Sequence, residues 1–291
     1  MESRPKLSRQ EFLARLHSYG LRPAHALGQN FLWDKDLLQS LVEGAALLPL
    51  DRVLEIGSGA GTLTEVLAER AERVVSVEID QHLQPILNDL ADKHPNLEFI
   101  FEDARKLRFD ELFSADEKRN LQIVANLPYY LTSELIKQCL CQLPQARRMI
   151  FLVQKDAVPR LKGAAGDGKS ESKNQGCLAK LIACYGEVKI LKTLPAACFY
   201  PEPHVDSQLI YLERSQGSSA LAMLESHPDR LSRVIEMAFY QRRKSMVNCF
   251  AASGLKEQVR AWLLERNLPA TLRAEQLSPE DFADLTSNLY L

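Results

Sequence analysis

The chain has 291 residues, 46 % of them hydrophobic and 25 % charged, with a formal net charge of −2. That length suits one large domain with a smaller companion, and the composition is globular rather than disordered or fibrous. No stretch approaches the roughly 20 apolar residues that span a bilayer, and the polar Met1–Gln10 stretch has no signal-peptide core, so a cytoplasmic location without membrane association is expected. The six cysteines lack metal-type spacing. Cys139 and Cys141 stand two apart on a helical stretch and face different sides. Idle or buried thiols in a reducing compartment, and no metal site, are expected.

The small net charge hides an uneven distribution. Arg4, Lys6, Arg9, Arg15 and Arg22 crowd the N-terminal arm, and Arg230, Arg233, Arg242, Arg243, Lys244, Lys256 and Arg260 follow Pro228. Such patches bind phosphates even on a mildly acidic protein; a solvated helix face is the alternative on charge alone.

In chain order, 52–57 (RVLEIG) is an apolar run ending in glycine, and 62–70 has helical spacing through Leu63, Val66 and Leu67. A β-branched run at 73–79, a helix at 82–93 and strand runs at 97–101, 121–125 and 149–153 follow, with a helix after Thr132. Continuous apolar strands separated by helices predict an α/β fold, with a parallel sheet covered on both faces. Residues 163–175 (GAAGDGKSESKNQ) read as a mobile loop. A helix at 177–185 and strands at 188–194 and 205–212 come next, and Ser215–Ser219 reads as a linker. Helical spacing then returns at 230–240, 245–252, 255–266 and 279–289, the last started by a Ser278 cap before Pro279. A boundary near 216 would separate domains 1–216 and 217–291.

Residues 53–64 (VLEIGSGAGTLT) deliver a strand to Gly57, Gly59 and Gly61 and then begin a helix. Glycines at such a turn let a ligand approach the main chain. Glu78, about 20 residues on, ends the next strand, where a carboxylate holds ribose hydroxyls. Thr62 stands where a dinucleotide fingerprint wants a third glycine, and Asp103 follows the third strand, placed to accept from an adenine amine. Each acid alone is equally a solvated strand end. Together with the glycines they point to S-adenosylmethionine rather than NAD.

The fourth strand ends in Asn126-Leu127-Pro128-Tyr129, where open α/β sheets place their chemistry. The adenine amine is a poor nucleophile because its lone pair is delocalised into the ring. Acceptors at the Asn126 carboxamide and the Leu127 carbonyl would draw its protons out of plane. Pro128 would hold Leu127 extended, and Tyr129 would stack on the base. An Asn-x-Pro turn with a core tyrosine is the alternative.

These blocks resemble the rRNA adenine N6,N6-dimethyltransferases, and most closely the bacterial small-subunit type. Leu27–Leu32 (LGQNFL), Gln154-Lys155, the Phe199-x-Pro201-x-Pro203-x-Val205-Asp206-Ser207 block and Phe239–Lys244 are also similar to family motifs, in the family's order. The resemblance implies a Rossmann-like class I methyltransferase sheet, with a small all-helical C-terminal domain that binds rRNA. It implies that Asn30, Leu32, Gly57, Gly59, Glu78, Asp103 and Asn126 line the cofactor site, and that Asn126, Pro128 and Tyr129 form the catalytic corner. Phe199 would close an aromatic sandwich with Tyr129, and Arg242, Arg243 and Lys244 would contact rRNA phosphates. The implied reaction is dimethylation of two adjacent adenosines in the 3′-terminal hairpin loop of 16S rRNA, by a monomer acting on the small subunit or its precursor. Residues 163–176 depart from the family pattern, and the helices after Gly254 match only in character.

Two other readings share this fold: a large-subunit methyltransferase of the antibiotic-resistance type, and a non-catalytic RNA-binding or transcription-accessory protein. Leu127, where the former carries isoleucine, and the Gln241–Lys244 block favour the small-subunit type. The intact acids and tetrapeptide disfavour a purely binding role.

Overall fold

The structure is a computed structural model and describes residues 8–163, 174–241 and 243–290. Its first half contains α1 (Arg9–Ser18), β1 (Phe31–Leu32), α2 (Lys35–Ala45), β2 (Arg52–Ile56), α3 (Thr62–Ala68), β3 (Arg73–Glu78), α4 (Gln84–Ala91), β4 (Leu97–Phe101), β5 (Leu121–Asn126), α5 (Thr132–Gln142) and β6 (Arg148–Gln154). Then follow α6 (Val158–Leu161), α7 (Asn174–Tyr185), β7 (Gly186–Leu194), β8 (Phe199–Tyr200), β9 (Ser207–Arg214), α8 (Ser219–Ser226), α9 (Pro228–Phe239), α10 (Met246–Cys249), α11 (Lys256–Glu265) and α12 (Pro279–Asn288). No helix among the described residues is long and apolar enough to cross a membrane.

The chain divides into two compact units. The first takes the described parts of Met1–Leu135, Gln145–Lys155 and Lys189–Tyr211; the second takes Ile136–Pro144 and the described parts of Asp156–Val188 and Leu212–Leu291. One sheet runs in the order β4-β3-β2-β5-β6-β9-β7. Its pairs from β4 through β6 are parallel, as continuous apolar strands require. Val53, Val74, Val124, Ile150 and Leu152 enter the same buried cluster as Leu63, Val66 and Leu67 of α3 and Leu38, Leu41 and Val42 of α2. The strand order reverses between β2 and β5, so the connections that leave their carboxyl ends diverge and a crevice forms just outside those ends. At the opposite end Asp51, 1 % exposed, accepts from Arg147 Nη2 and Gln122 Nε2, both at 2.6 Å, and from Leu48 N at 2.7 Å. One carboxylate thereby ties together the starts of β2, β5 and β6.

In the second unit α7, α8, α9 and α12 pack on one another. Leu231, Val234, Ile235, Ala238 and Phe239 of α9 are buried at helical spacing, and the Phe239 ring stacks on Phe282 at 6.2 Å. The expected Ser278 cap forms: its hydroxyl accepts from Asp281 N at 3.0 Å, with Pro279 in the first turn. Sequence periodicity missed α8, whose Ser218 hydroxyl accepts from Ala220 N at 3.2 Å and Leu221 N at 3.4 Å. The helix expected over 245–252 is shorter, ending at Cys249. Residues 164–173 of the expected loop lie outside the described residues, as do Arg4 and Lys6. Cys139 and Cys184 are fully buried, and burial raises both thiols, that of Cys184 to about 12, which makes them inert.

Candidate active site

The carboxyl ends of β2, β3, β4 and β5 bring Gly57, Glu78, Asp103 and Asn126 to one edge of the sheet, where they line one cleft. Asn30, Gly59, Pro128 and Tyr129 line the same cleft.

Gly57, Gly59 and Gly61 all take positive φ. A side chain at Gly59 would come within 2.9 Å of the Phe31 ring, so this turn admits only glycine there. Glu78 fastens the turn from the neighbouring strand. Its Oε2 accepts from Gly59 N at 2.8 Å, and its Oε1 accepts from Ile79 N and Asp80 N, both at 2.9 Å. Burial pushes the Glu78 carboxyl up, and these three N–H groups pull it back. Beneath the turn, the fully buried Glu55 accepts from Ser76 Oγ at 2.5 Å, and Ser76 Oγ lies 2.6 Å from Ser58 Oγ. Burial raises Glu55 to about 7. A lone carboxylate inside an apolar strand run was the available sequence signal for this residue.

Asp103 is held in a fork by Arg105: Nη2 donates to Oδ2 at 2.6 Å and Nε to Oδ1 at 3.0 Å. This pairing holds the Asp103 carboxyl below its ordinary value and keeps it ionised, an acceptor ready for an amine. Nothing in the residue types marked Arg105 in advance.

At the end of β5, Asn126 Nδ2 donates to the Asn30 carbonyl at 3.2 Å. That bond orients the carboxamide and leaves Oδ1 as the acceptor for a ligand. The Pro128 carbonyl is committed to Leu131 N at 2.9 Å and Thr132 Oγ1 at 3.4 Å, at the start of α5. Among the described residues no hydrogen bond takes the Leu127 carbonyl, so the corner presents two acceptors. Tyr129 is half-buried, its hydroxyl 3.2 Å from Ser207 Oγ; burial raises its pKa, with the Ser207 bond opposing. Gln29, which sequence reading passed over, positions the N-terminal segment: Oε1 accepts from Ala24 N at 2.7 Å, and Nε2 donates to Asp80 Oδ2 at 2.8 Å.

Two expected site residues stand elsewhere. Phe199 and Leu32 face each other in the antiparallel β1–β8 ribbon and are buried in the core cluster, 1 % and 3 % exposed. Neither lines the cleft. Phe199 packs in the core cluster, and the Leu32 carbonyl accepts from Thr62 Oγ1 at 2.6 Å. Of the basic cluster, Arg243 and Lys244 are exposed in the turn after α9, in the second unit. Arg242 lies outside the described residues.

A family profile described as ribosomal RNA adenine dimethylase matches residues 22–290. The chain belongs to that family. It is similar to a ribosomal RNA small subunit methyltransferase A of Alkaliphilus oremlandii, 33 % identical over 280 residues and covering 94 % of each chain. Among solved structures, a dimethyladenosine transferase from Plasmodium falciparum superposes with a TM-score of 0.65 at 21 % identity, over 88 % of this chain and 98 % of that one. The 23S rRNA methyltransferase ErmE superposes with a TM-score of 0.58 at 25 % identity, over 89 % and 99 %. This ribosomal RNA adenine dimethylase thus has the α/β architecture expected of a class I methyltransferase. Its cleft has the parts a nucleoside cofactor needs: a side-chain-free turn at Gly59, a buried carboxylate at Glu78, an ionised acceptor at Asp103 and an amide at Asn126.

Proposed function

We propose that this dimethylase takes S-adenosylmethionine as methyl donor and forms N6,N6-dimethyladenosine at two adjacent adenosines in the 3′-terminal hairpin loop of small-subunit rRNA. The carrying observation is the pair of acceptors at Asn126 Oδ1 and the Leu127 carbonyl, beside Tyr129 in a cleft floored by Gly57, Glu78 and Asp103. Glu78 would hold the cofactor ribose, Asp103 its adenine amine, and the Gly57–Gly59 turn its main-chain-facing side. When bound, the cofactor supplies a methyl group on a positively charged sulfur.

The chain's own residues supply position. Asn126 and the Leu127 carbonyl accept the two amine protons of the target, which localises the nitrogen lone pair for in-line attack. The methylated nitrogen is at first cationic with both protons and acidic enough to release one to water; one acceptor then orients the proton that remains, so the same corner serves both methylations. Tyr129 offers its ring to a base turned out of its stack, and Ser207 holds that ring in place. Neither step requires a strong general base, consistent with the neutral groups around Asn126.

The small-subunit target rests on the name carried by relatives such as that of Alkaliphilus oremlandii. Arg243 and Lys244, exposed on the second unit, would contact rRNA phosphates, and the helices after residue 216 would form the RNA-binding part. A cytoplasmic monomer acting on the small subunit or its precursor completes the reading. The test supplies labelled S-adenosylmethionine with separated ribosomal subunits from cells lacking the enzyme. Label as dimethyladenosine in the small subunit is expected; label in the large subunit alone overturns the target.

A further inference from the structure

Tyr130 follows the catalytic corner directly and plays no part in the chemistry above. Its side chain lines the cleft, yet the residue is 61 % exposed, unusual for a tyrosine so near a ligand site. One ring edge faces Gly28, where a side chain of even one carbon would stand 3.5 Å from the ring, so the bare glycine leaves the ring room at the cleft. Phe199, by contrast, is 1 % exposed and lies outside the cleft.

We propose that Tyr130 is a stacking platform for the nucleobase next to the target adenosine. The inference rests on the RNA-methylating reading above and adds an RNA-binding residue to it. A base turned into the cleft against Tyr129 leaves its neighbour without a stacking partner on that side. An aromatic ring one chain position away, open to solvent at the cleft, replaces the lost contact whatever the identity of that base, because every base has a π face. For a target of two adjacent adenosines, this neighbour is the second substrate base. The platform then holds one adenosine while the other reacts.

The test uses the full-length protein and three variants, Tyr130→Ala, Tyr130→Phe and Tyr130→Trp. Steady-state methylation of small subunits is measured alongside S-adenosylmethionine affinity by calorimetry. Affinity is also measured for a fluorescent hairpin RNA with two adjacent adenosines in its loop. Loss of one base stack weakens RNA binding by about tenfold. Tyr130→Ala is therefore expected to raise the KM for subunits and the hairpin Kd about tenfold, leaving kcat and cofactor affinity within about twofold. Tyr130→Phe and Tyr130→Trp should behave as the parent, since the ring and not the hydroxyl acts. Unchanged KM and hairpin affinity in Tyr130→Ala overturn the proposal. So does a Phe variant as impaired as the Ala variant, or a loss of cofactor affinity equal to the loss for RNA. The hairpin measurement also separates the two readings. If the parent fails to methylate small subunits while Tyr130→Ala still loses hairpin affinity, the target assignment falls and the platform stands; the reverse pattern removes only the platform.

Discussion

Replacing Asn126 by alanine removes one of the two acceptors at the catalytic corner and the Nδ2 bond to the Asn30 carbonyl, 3.2 Å long. The structural loss is small. One neutral hydrogen bond at a half-buried position is worth about 1 kcal/mol, which corresponds to a fall of no more than about 4 °C in Tm for a protein near this size. The kinetic loss is large. An acceptor aimed at charge that develops only in the transition state contributes on the order of 10²–10³ in kcat, as a single oxyanion-hole donor does. The Leu127 carbonyl remains, so activity should survive at that reduced level rather than vanish. The assay is single-turnover transfer of labelled methyl to saturating small subunits, with calorimetric cofactor binding and thermal unfolding in parallel. A rate within about threefold of the parent, with fold and binding intact, would refute the acceptor role. A collapse of stability would instead show that the Asn30 bond matters chiefly to the fold.

Glu78→Gln keeps the shape of the carboxylate but turns one oxygen into a donor facing a donating N–H of the glycine turn or of Ile79 and Asp80. Cofactor affinity should fall by about ten- to a hundredfold, with hairpin RNA affinity preserved; calorimetry showing an unchanged Kd would contradict the fastening role. Glu55, raised by burial from an ordinary 4.5 to about 7, favours the folded state fully below pH 4.5 and loses that contribution as pH rises to 7, about 3 kcal/mol in all. Its neutral isostere in Glu55→Gln should therefore gain stability relative to the parent across that window, and parallel urea-unfolding curves for the two between pH 5 and 8 would exclude the shift. Asp51→Ala leaves Arg147 and Gln122 without their shared acceptor. It should cost about 3 kcal/mol in urea unfolding; a loss below about 1 kcal/mol would show that the tie is dispensable.

The site was legible where its logic is local. A strand run followed by spaced glycines dictates a turn that few other residues tolerate, and parallel strands necessarily bring their carboxyl ends to one edge. Gly57, Glu78 and Asp103 could therefore be grouped from strand ends and spacing, with Asn126 added by the family resemblance, and all four line one cleft. The Asn126–Tyr129 tetrapeptide was legible for the same reason, since it ends a strand.

Contacts made across long separations in the chain were not legible. Pairing of β1 with β8 buries Leu32 and Phe199 together, although their types and motif positions suited a binding role equally well. Gly28 and Tyr130, far apart in the chain, face each other at the cleft, where the tyrosine ring stays exposed. Hydrophobic periodicity reports which face of an element seeks burial, but not which distant segment covers it. The sequence by itself thus determined the sheet, the glycine turn and the acceptors at the strand ends. Only tertiary packing decided which aromatic ring went into the core and which stayed exposed at the cleft.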